Sequence, residues 1–155
     1  MPPRSAALLL HRRGEAGVEV LIAHMGGPFW ASRDAGAWSI PKGEYAGDED
    51  PADAARREFA EEIGRPAPPG DLVPLGEFRQ RGGKRVTVFA LEGDMDVSSI
   101  RSATFTVELP RGSGRTVEFP EVDRAAWVVP ERARELLVSG QVPAVDALLA
   151  HLGAA

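Results

Sequence analysis

The segment "REFAEE", Arg57 to Glu62, places three carboxylates and a guanidinium within six residues. At roughly 100° per residue in a helix, Glu58, Glu61 and Glu62 stand at i, i+3 and i+4 and share one face. Three anions that close repel one another, so they take up protons, splay apart or gather round a cation. The chain has no cysteine and three histidines, so any ion must be held mainly by oxygen, which favours a hard divalent cation. Magnesium or manganese suits this helical presentation; calcium usually takes an oxygen-rich loop, and "DEDPADAA" lacks the Asp-x-Asp-x-Asp-Gly spacing of one. The ordinary fate of such a run is a solvated face, and taken alone "EFAEE" requires nothing more. The surrounding residues must decide.

Those residues mark a helix clearly. Asp50 can cap it, Pro51 fits its first turn, and Gly64 stands where a left-handed terminating residue is expected, which predicts a helix over 51–63. Ala52, Ala55, Phe59 and Ile63 form its expected apolar stripe. Upstream, "SAALLLHRR" and "VEVLIAH" read as two strands joined at "GEAG", "GGPFWASRDAG" as a loop, and "AWSI" as a short strand stopped by Pro41. Downstream, "LVPLGEFRQ" and "KRVTVFALEG" predict a hairpin about Gly82 and Gly83. "ATFTVELPRGSGRTVEF" predicts a further hairpin with "RGSGR" at its tip, and "RAAWVV" one more strand. Two terminal helices follow, "PERARELLVSG", starting near Pro130 and ending at Gly140, and "QVPAVDALLAHL". This order implies an α+β fold, a mixed sheet covered by helices. With 155 residues, 43% hydrophobic and 26% charged, a single domain over 1–155 is expected.

Net charge is −5, which argues against sequence-independent attraction to nucleic acid or to an anionic membrane, while leaving a small anionic ligand open. The apolar run in "MPPRSAALLLHRRG" is too short to span a bilayer and is followed by arginines where a cleavage site would be, so a cytoplasmic location is expected. Lys42 and Lys84 are the only lysines; the remaining cations are arginines, whose planar fork suits phosphate.

The wider pattern is Gly43, five residues, Glu49, seven residues, Arg57-Glu58, Phe59, Ala60, Glu61-Glu62, Ile63, Gly64. It resembles the Nudix box at every glycine and charged position. Phe59 stands where the family carries an aliphatic residue, and Arg65 where an apolar one closes the motif. The resemblance implies an α/β/α sandwich with a mixed central sheet. It also implies hydrolysis of a pyrophosphate bond in a nucleoside polyphosphate or nucleoside diphosphate derivative, dinucleoside polyphosphates included, with Mg²⁺ or Mn²⁺. Carried over by position, it makes Glu58, Glu61 and Glu62 metal ligands, has Arg57 orient a box glutamate, and gives Glu49 a structural part with Gly64. The resemblance also implies a general base, for which Glu62 and, in "EFPEVDRAAW", Glu121 are the two candidates. Lys42 and Gly43 in "PKG" would meet phosphate, as the lysine does in relatives acting on dinucleoside polyphosphates or diphosphoinositol phosphates.

Other residues carry weaker signals. Arg79, Arg81, Lys84 and Arg85 flank the glycine turn and could widen the anion surface. "GGKRVT" is not a P-loop, since the earlier glycine is missing and Arg85 replaces Ser or Thr. His24, Phe29, Trp30 and Trp38 could stack on a base or sugar, although aromatics near a sheet are commonly core, as Trp127 is expected to be. The expected partner is thus a small phosphate anhydride, with no membrane and no nucleic acid. Two other functions stay open: a non-catalytic nucleotide sensor on the same fold, and an RNA 5′ end or cap pyrophosphohydrolase.

Overall fold

In the computed structural model of the chain, residues 4–153 are described. The apolar run after Arg4 forms β1 (Arg4–Gly14), which turns through Glu15 and Ala16 into β2 (Gly17–Met25). The two pair antiparallel from His11↔Val20 to Gly14↔Gly17, and Gly17 takes the positive φ (+105°) that closes so tight a turn. Beyond this short ladder the strands part. β3 (Trp38–Ser39) joins β2 through Ala23↔Ser39 and His24↔Trp38, while β4 (Lys42–Glu44) joins β1 through Ser5↔Glu44 to Ala7↔Lys42. Pro41 lies between them, and its carbonyl accepts the Leu8 N–H at 3.1 Å. Residues 38–44 therefore fill a wedge in the sheet, which delivers Lys42 and Gly43 to its mouth.

The sheet is mixed. β6 (Arg85–Glu92) runs parallel to β1 from Arg4↔Arg85 to His11↔Glu92, β5 (Val73–Arg79) pairs antiparallel with β6, and β9 (Val122–Val128) pairs antiparallel with β2. β7 (Thr104–Glu108) and β8 (Thr116–Pro120) form a separate two-stranded hairpin, with Arg111 to Arg115 at its tip. The parallel pairing explains why "AALLL" reads as an unbroken apolar run rather than an alternating one, since a strand covered on both faces buries every side chain. Ala6, Leu8 and Leu10 face a core shared with α1 (Pro51–Ile63); Ala7 and Leu9 face a second core with α2 (Pro130–Leu136) and α3 (Val142–Leu152). These are the three layers of an α/β/α sandwich. No helix among the described residues is long and apolar enough to cross a membrane.

Three expectations need correction. β4 is a strand between Pro41 and the helix, where the sequence reading places no element. On α1 the buried apolar residues are Ala54, Ala55, Phe59 and Ile63, so Ala54 takes the place expected of Ala52. Gly140 does not end α2: Leu137 leaves the helix in an extended conformation because Val138 N–H donates to the Trp38 carbonyl at 2.9 Å, drawing the chain alongside β3. Gly140 lies beyond, where a Cβ would come within 2.8 Å of Gln80 Cα, so its bare backbone lets the β5–β6 turn pack down.

Candidate active site

Both ends of α1 are fixed by local chemistry. The Asp50 carboxylate accepts the Asp53 N–H at 3.2 Å, Pro51 occupies the first turn, and Gly64 ends the helix at φ +89°. Phe59 is fully buried, worth roughly 1.5–3 kcal/mol of apolar burial, so the aromatic ring at the family's aliphatic position is accommodated by the core. The last carbonyls of the helix go to a returning segment: Ala103 N–H donates to Glu61 O at 2.9 Å and Arg101 N–H to Ile63 O at 3.0 Å. That segment packs so closely that a Cβ at Gly64 would overlap the Arg101 carbonyl. Glu121 N–H in turn donates to Ala103 O at 2.9 Å, so backbone bonds tie Glu121, distant in sequence, to the helix end that carries Glu61.

Arg57 organises the acids around it. Its Nε and Nη2 hold Glu49 bidentately at 2.9 and 2.8 Å, and Nη1 donates to Glu58 Oε1 at 2.8 Å and to Glu61 Oε1 at 3.3 Å. Glu58 is only 9% exposed, and its carboxylate lies against Gly43, where a Cβ would overlap its Cδ and Oε2. The first glycine of the box is thus the space in which the first glutamate of the helix sits. Glu62 points elsewhere, its Oε1 accepting the Lys42 N–H at 3.1 Å. The helix face is therefore not uniformly solvated: Glu61 is exposed, Glu62 half-buried and Glu58 buried.

The electrostatics follow from this placement. Burial pushes the Glu58 carboxyl above the usual range; Arg57 opposes the shift, and the charges of Glu61 and Glu121 add to it. Burial pushes Glu62 up to about 8, against the pull of the Lys42 amide and ammonium, with Glu121 and Glu58 raising it further. Glu49 is lowered by its hydrogen bonds to Arg57.

Glu58, Glu61 and Glu121 line one cavity of about 350 Å³ together with Lys42, Gly43 and Lys84. A larger cleft of about 700 Å³ opens beside it on the α2–α3 side, shares Lys42 and Lys84, and adds Trp30, Gln80, Arg81 and Gln141. Two of the residues assigned from the sequence lie away from both cavities. Trp38 is 4% exposed in the core; its Nε1–H donates to Asp34 at 2.8 Å and its ring meets His24 edge-on at 5.2 Å, so it offers no face to a ligand. Arg79 lines neither cavity. His24, fully buried between Asp123 Oδ1 (2.8 Å) and the Arg33 carbonyl (2.7 Å), braces the loop before β3. The residue that sequence reasoning missed is Gln141. Fully buried, it accepts the Ile40 N–H at 2.7 Å and donates to Ser39 Oγ and Gln80 Oε1, both at 3.0 Å. No sequence signal marks it, since its partners lie on β3 and the β5–β6 turn.

The NUDIX domain family model matches residues 1–148. The chain belongs to the Nudix family. Three solved structures resemble it over 89% or more of their own length. The NUDIX domain of Shewanella oneidensis NrtR, complexed with ADP ribose, is 14% identical with a TM-score of 0.68, covering 98% of this chain and 89% of that one. A C. elegans Ap4A hydrolase binary complex is 19% identical with a TM-score of 0.65, covering 97% and 98%. The MutT protein from Methanosarcina mazei Go1 is 22% identical with a TM-score of 0.62, covering 97% and 96%. No curated protein matches the chain.

Among the described residues, no three His, Asp or Glu side chains are gathered tightly enough to hold an ion as they stand. Arg57 occupies one oxygen each of Glu58 and Glu61, and Glu62 is turned to Lys42. The donor set nonetheless fits a hard divalent cation. The four acids on the cavity, Glu44, Glu58, Glu61 and Glu121, offer only oxygen, and the charges of Glu61 and Glu121, which add to the burial that raises Glu58, are what a cation would offset.

Proposed function

We propose that this Nudix protein is a divalent-metal-dependent pyrophosphohydrolase that cleaves a phosphoanhydride in a nucleoside polyphosphate or nucleoside diphosphate derivative. The observation that carries this reading is the convergence of Glu58, Glu61 and Glu121 on one cavity, with Arg57 holding the first two. Similarity to an Ap4A hydrolase and to a Nudix domain complexed with ADP ribose supports a nucleotide substrate.

Glu58, Glu61 and Glu62 are the residues that would hold Mg²⁺ or Mn²⁺, which when bound neutralises phosphate oxygens and lowers the pKa of water. Arg57 orients Glu58 and Glu61 through charge-assisted hydrogen bonds, with Glu49 fixing the guanidinium in return. Glu121 takes the proton of the attacking water: its carboxylate faces the cavity, whereas Glu62 accepts the Lys42 N–H and would join the metal only on release from that bond. The water oxygen bonds to phosphorus as the bridging P–O bond breaks, and the departing phosphate keeps the electron pair. Lys42, at the junction of the two cavities, meets phosphate charge.

The test is phosphate or nucleotide release with Mg²⁺ or Mn²⁺ across nucleoside triphosphates, dinucleoside polyphosphates, nucleotide sugars, an inositol pyrophosphate and capped RNA. Hydrolysis of a free nucleotide substrate is the expected result. Binding without turnover of any of them would make the protein a sensor and overturn the reading, and cleavage of capped RNA alone would move it to the RNA 5′ end.

A further inference from the structure

Three cations border the route from the carboxylate cavity into the larger cleft: Lys42 and Lys84, which line both, and Arg81, which lines the cleft. Among the described residues none of the three makes an ion pair. The other charges on the cleft are already matched, since Arg134 is bound to Asp146 at 2.7 Å and Glu135 to Arg132 at 2.7 Å. On the route between the two cavities the unpaired charge is thus cationic, whereas the acids Glu44, Glu58, Glu61 and Glu121 line the carboxylate cavity, with Glu58 and Glu61 paired to Arg57.

The three cations are held in place by buried structure. Lys84 and Arg81 belong to the β5–β6 turn, closed by Gln80 N–H donating to Lys84 O at 2.7 Å and by Gly82 and Gly83 at φ +79° and +80°. The fully buried Gln141 holds Gln80 Oε1 on one side and, on the other, Ser39 Oγ and the Ile40 N–H, two residues before Lys42. One side chain therefore fixes both lysine-bearing segments, the β3–β4 segment within the sheet and the β5–β6 turn at its edge, relative to each other. Gly140 without a Cβ is what allows that approach.

We infer that Lys42, Lys84 and Arg81 form a track for a phosphate chain that continues past the scissile anhydride, so that the preferred substrate is a nucleoside or dinucleoside polyphosphate with three or more phosphates. This rests on the hydrolase reading for the position of the scissile bond. A nucleoside diphosphate linked to a sugar has two phosphates, both needed at the carboxylate cavity, and would lay a neutral sugar along three cations. Additional phosphates match each cation with an anion, and removing any one of these charge-assisted hydrogen bonds should weaken binding by roughly tenfold or more.

Two measurements test the track. In calorimetric titrations with Mg²⁺ present, inorganic tripolyphosphate should bind at least about tenfold tighter than pyrophosphate, and the preference should collapse in Lys84→Ala and Arg81→Ala. Arg111→Ala, on the tip of the β7–β8 hairpin and lining neither cavity, should keep it. In kinetics, kcat/KM should rise from a nucleotide sugar to a dinucleoside tetraphosphate, and Lys84→Ala should flatten the rise through KM. Equal binding of the two inorganic anions, or a preference unchanged in both variants, would overturn the track while leaving the hydrolase standing. If no anhydride is cleaved, the hydrolase reading fails and the tripolyphosphate titration alone decides the track.

Discussion

Gly43→Ala separates activity from stability more sharply than any glutamate substitution. Gly43 lies in β4 opposite Ala6, and its φ is not positive, so alanine suits the backbone and should stabilise by about 0.4–1 kcal/mol through the unfolded chain. The new Cβ, however, would overlap the Glu58 carboxylate, which must swing away from Arg57. That pair is partly exposed at the arginine, so its loss costs about 1 kcal/mol after solvent screening. The two effects nearly cancel, and Tm should move by less than about 4 °C in a domain of this size. Displacing a catalytic carboxylate by about 1 Å should cost about 10²-fold in kcat. Parallel thermal melts and steady-state kinetics on the best substrate measure both. A variant with wild-type kcat would refute the idea that Gly43 exists to make room for Glu58, and a large fall in Tm would assign the loss to folding instead.

Glu62, raised to about 8 by burial, contributes stability to the metal-free protein that is fully present below the ordinary glutamate range and is lost as pH rises through about 8. Metal-free melts should therefore show stability falling over that window, and Glu62→Gln should flatten the fall; an unchanged slope would mean Glu62 is solvated. Adding Mg²⁺ at about 100 times Kd should stabilise the fold by about 2.7 kcal/mol, less as pH falls because protons compete for the same oxygens. Glu58→Gln should shrink that shift at neutral pH, and a shift of full size in the variant would place the ion elsewhere. Lys42→Ala should raise KM more than it lowers kcat, and an unchanged KM would leave the lysine outside the phosphate site.

What the sequence made legible was whatever local chemistry determines. The bounds of α1 follow from Asp50, Pro51 and Gly64, each acting on its own neighbours, and the helix runs from Pro51 to Ile63 as expected. The β5–β6 hairpin follows likewise from Gly82 and Gly83. What depends on distant partners was not legible. β4 is three residues long and exists because Ser5 to Ala7 lie open beside it. Leu137 breaks α2 early to join β3, leaving Gly140 with a packing role that its sequence position does not suggest. Trp38 looks like a stacking platform by type and is core because His24, Asp34 and Arg124 enclose it. Within the site, the box residues were legible as a motif. That Arg57 would hold Glu49, Glu58 and Glu61 together, or that Gln141 would fix the lysines, depends on side-chain reach across the fold.

Whether the carboxylate cavity hydrolyses a phosphoanhydride with a divalent metal is decided by Mg²⁺-dependent nucleotide release, measured on wild type and Glu61→Gln side by side. Glu61 is exposed and lines the cavity, so the substitution keeps volume and fold while removing one charge. Wild type should turn over at least one nucleoside polyphosphate only when Mg²⁺ or Mn²⁺ is present, and Glu61→Gln should lose roughly 10²-fold or more in kcat. Turnover in the presence of a chelator, or a variant as fast as wild type, would rule out metal-dependent hydrolysis at this helix.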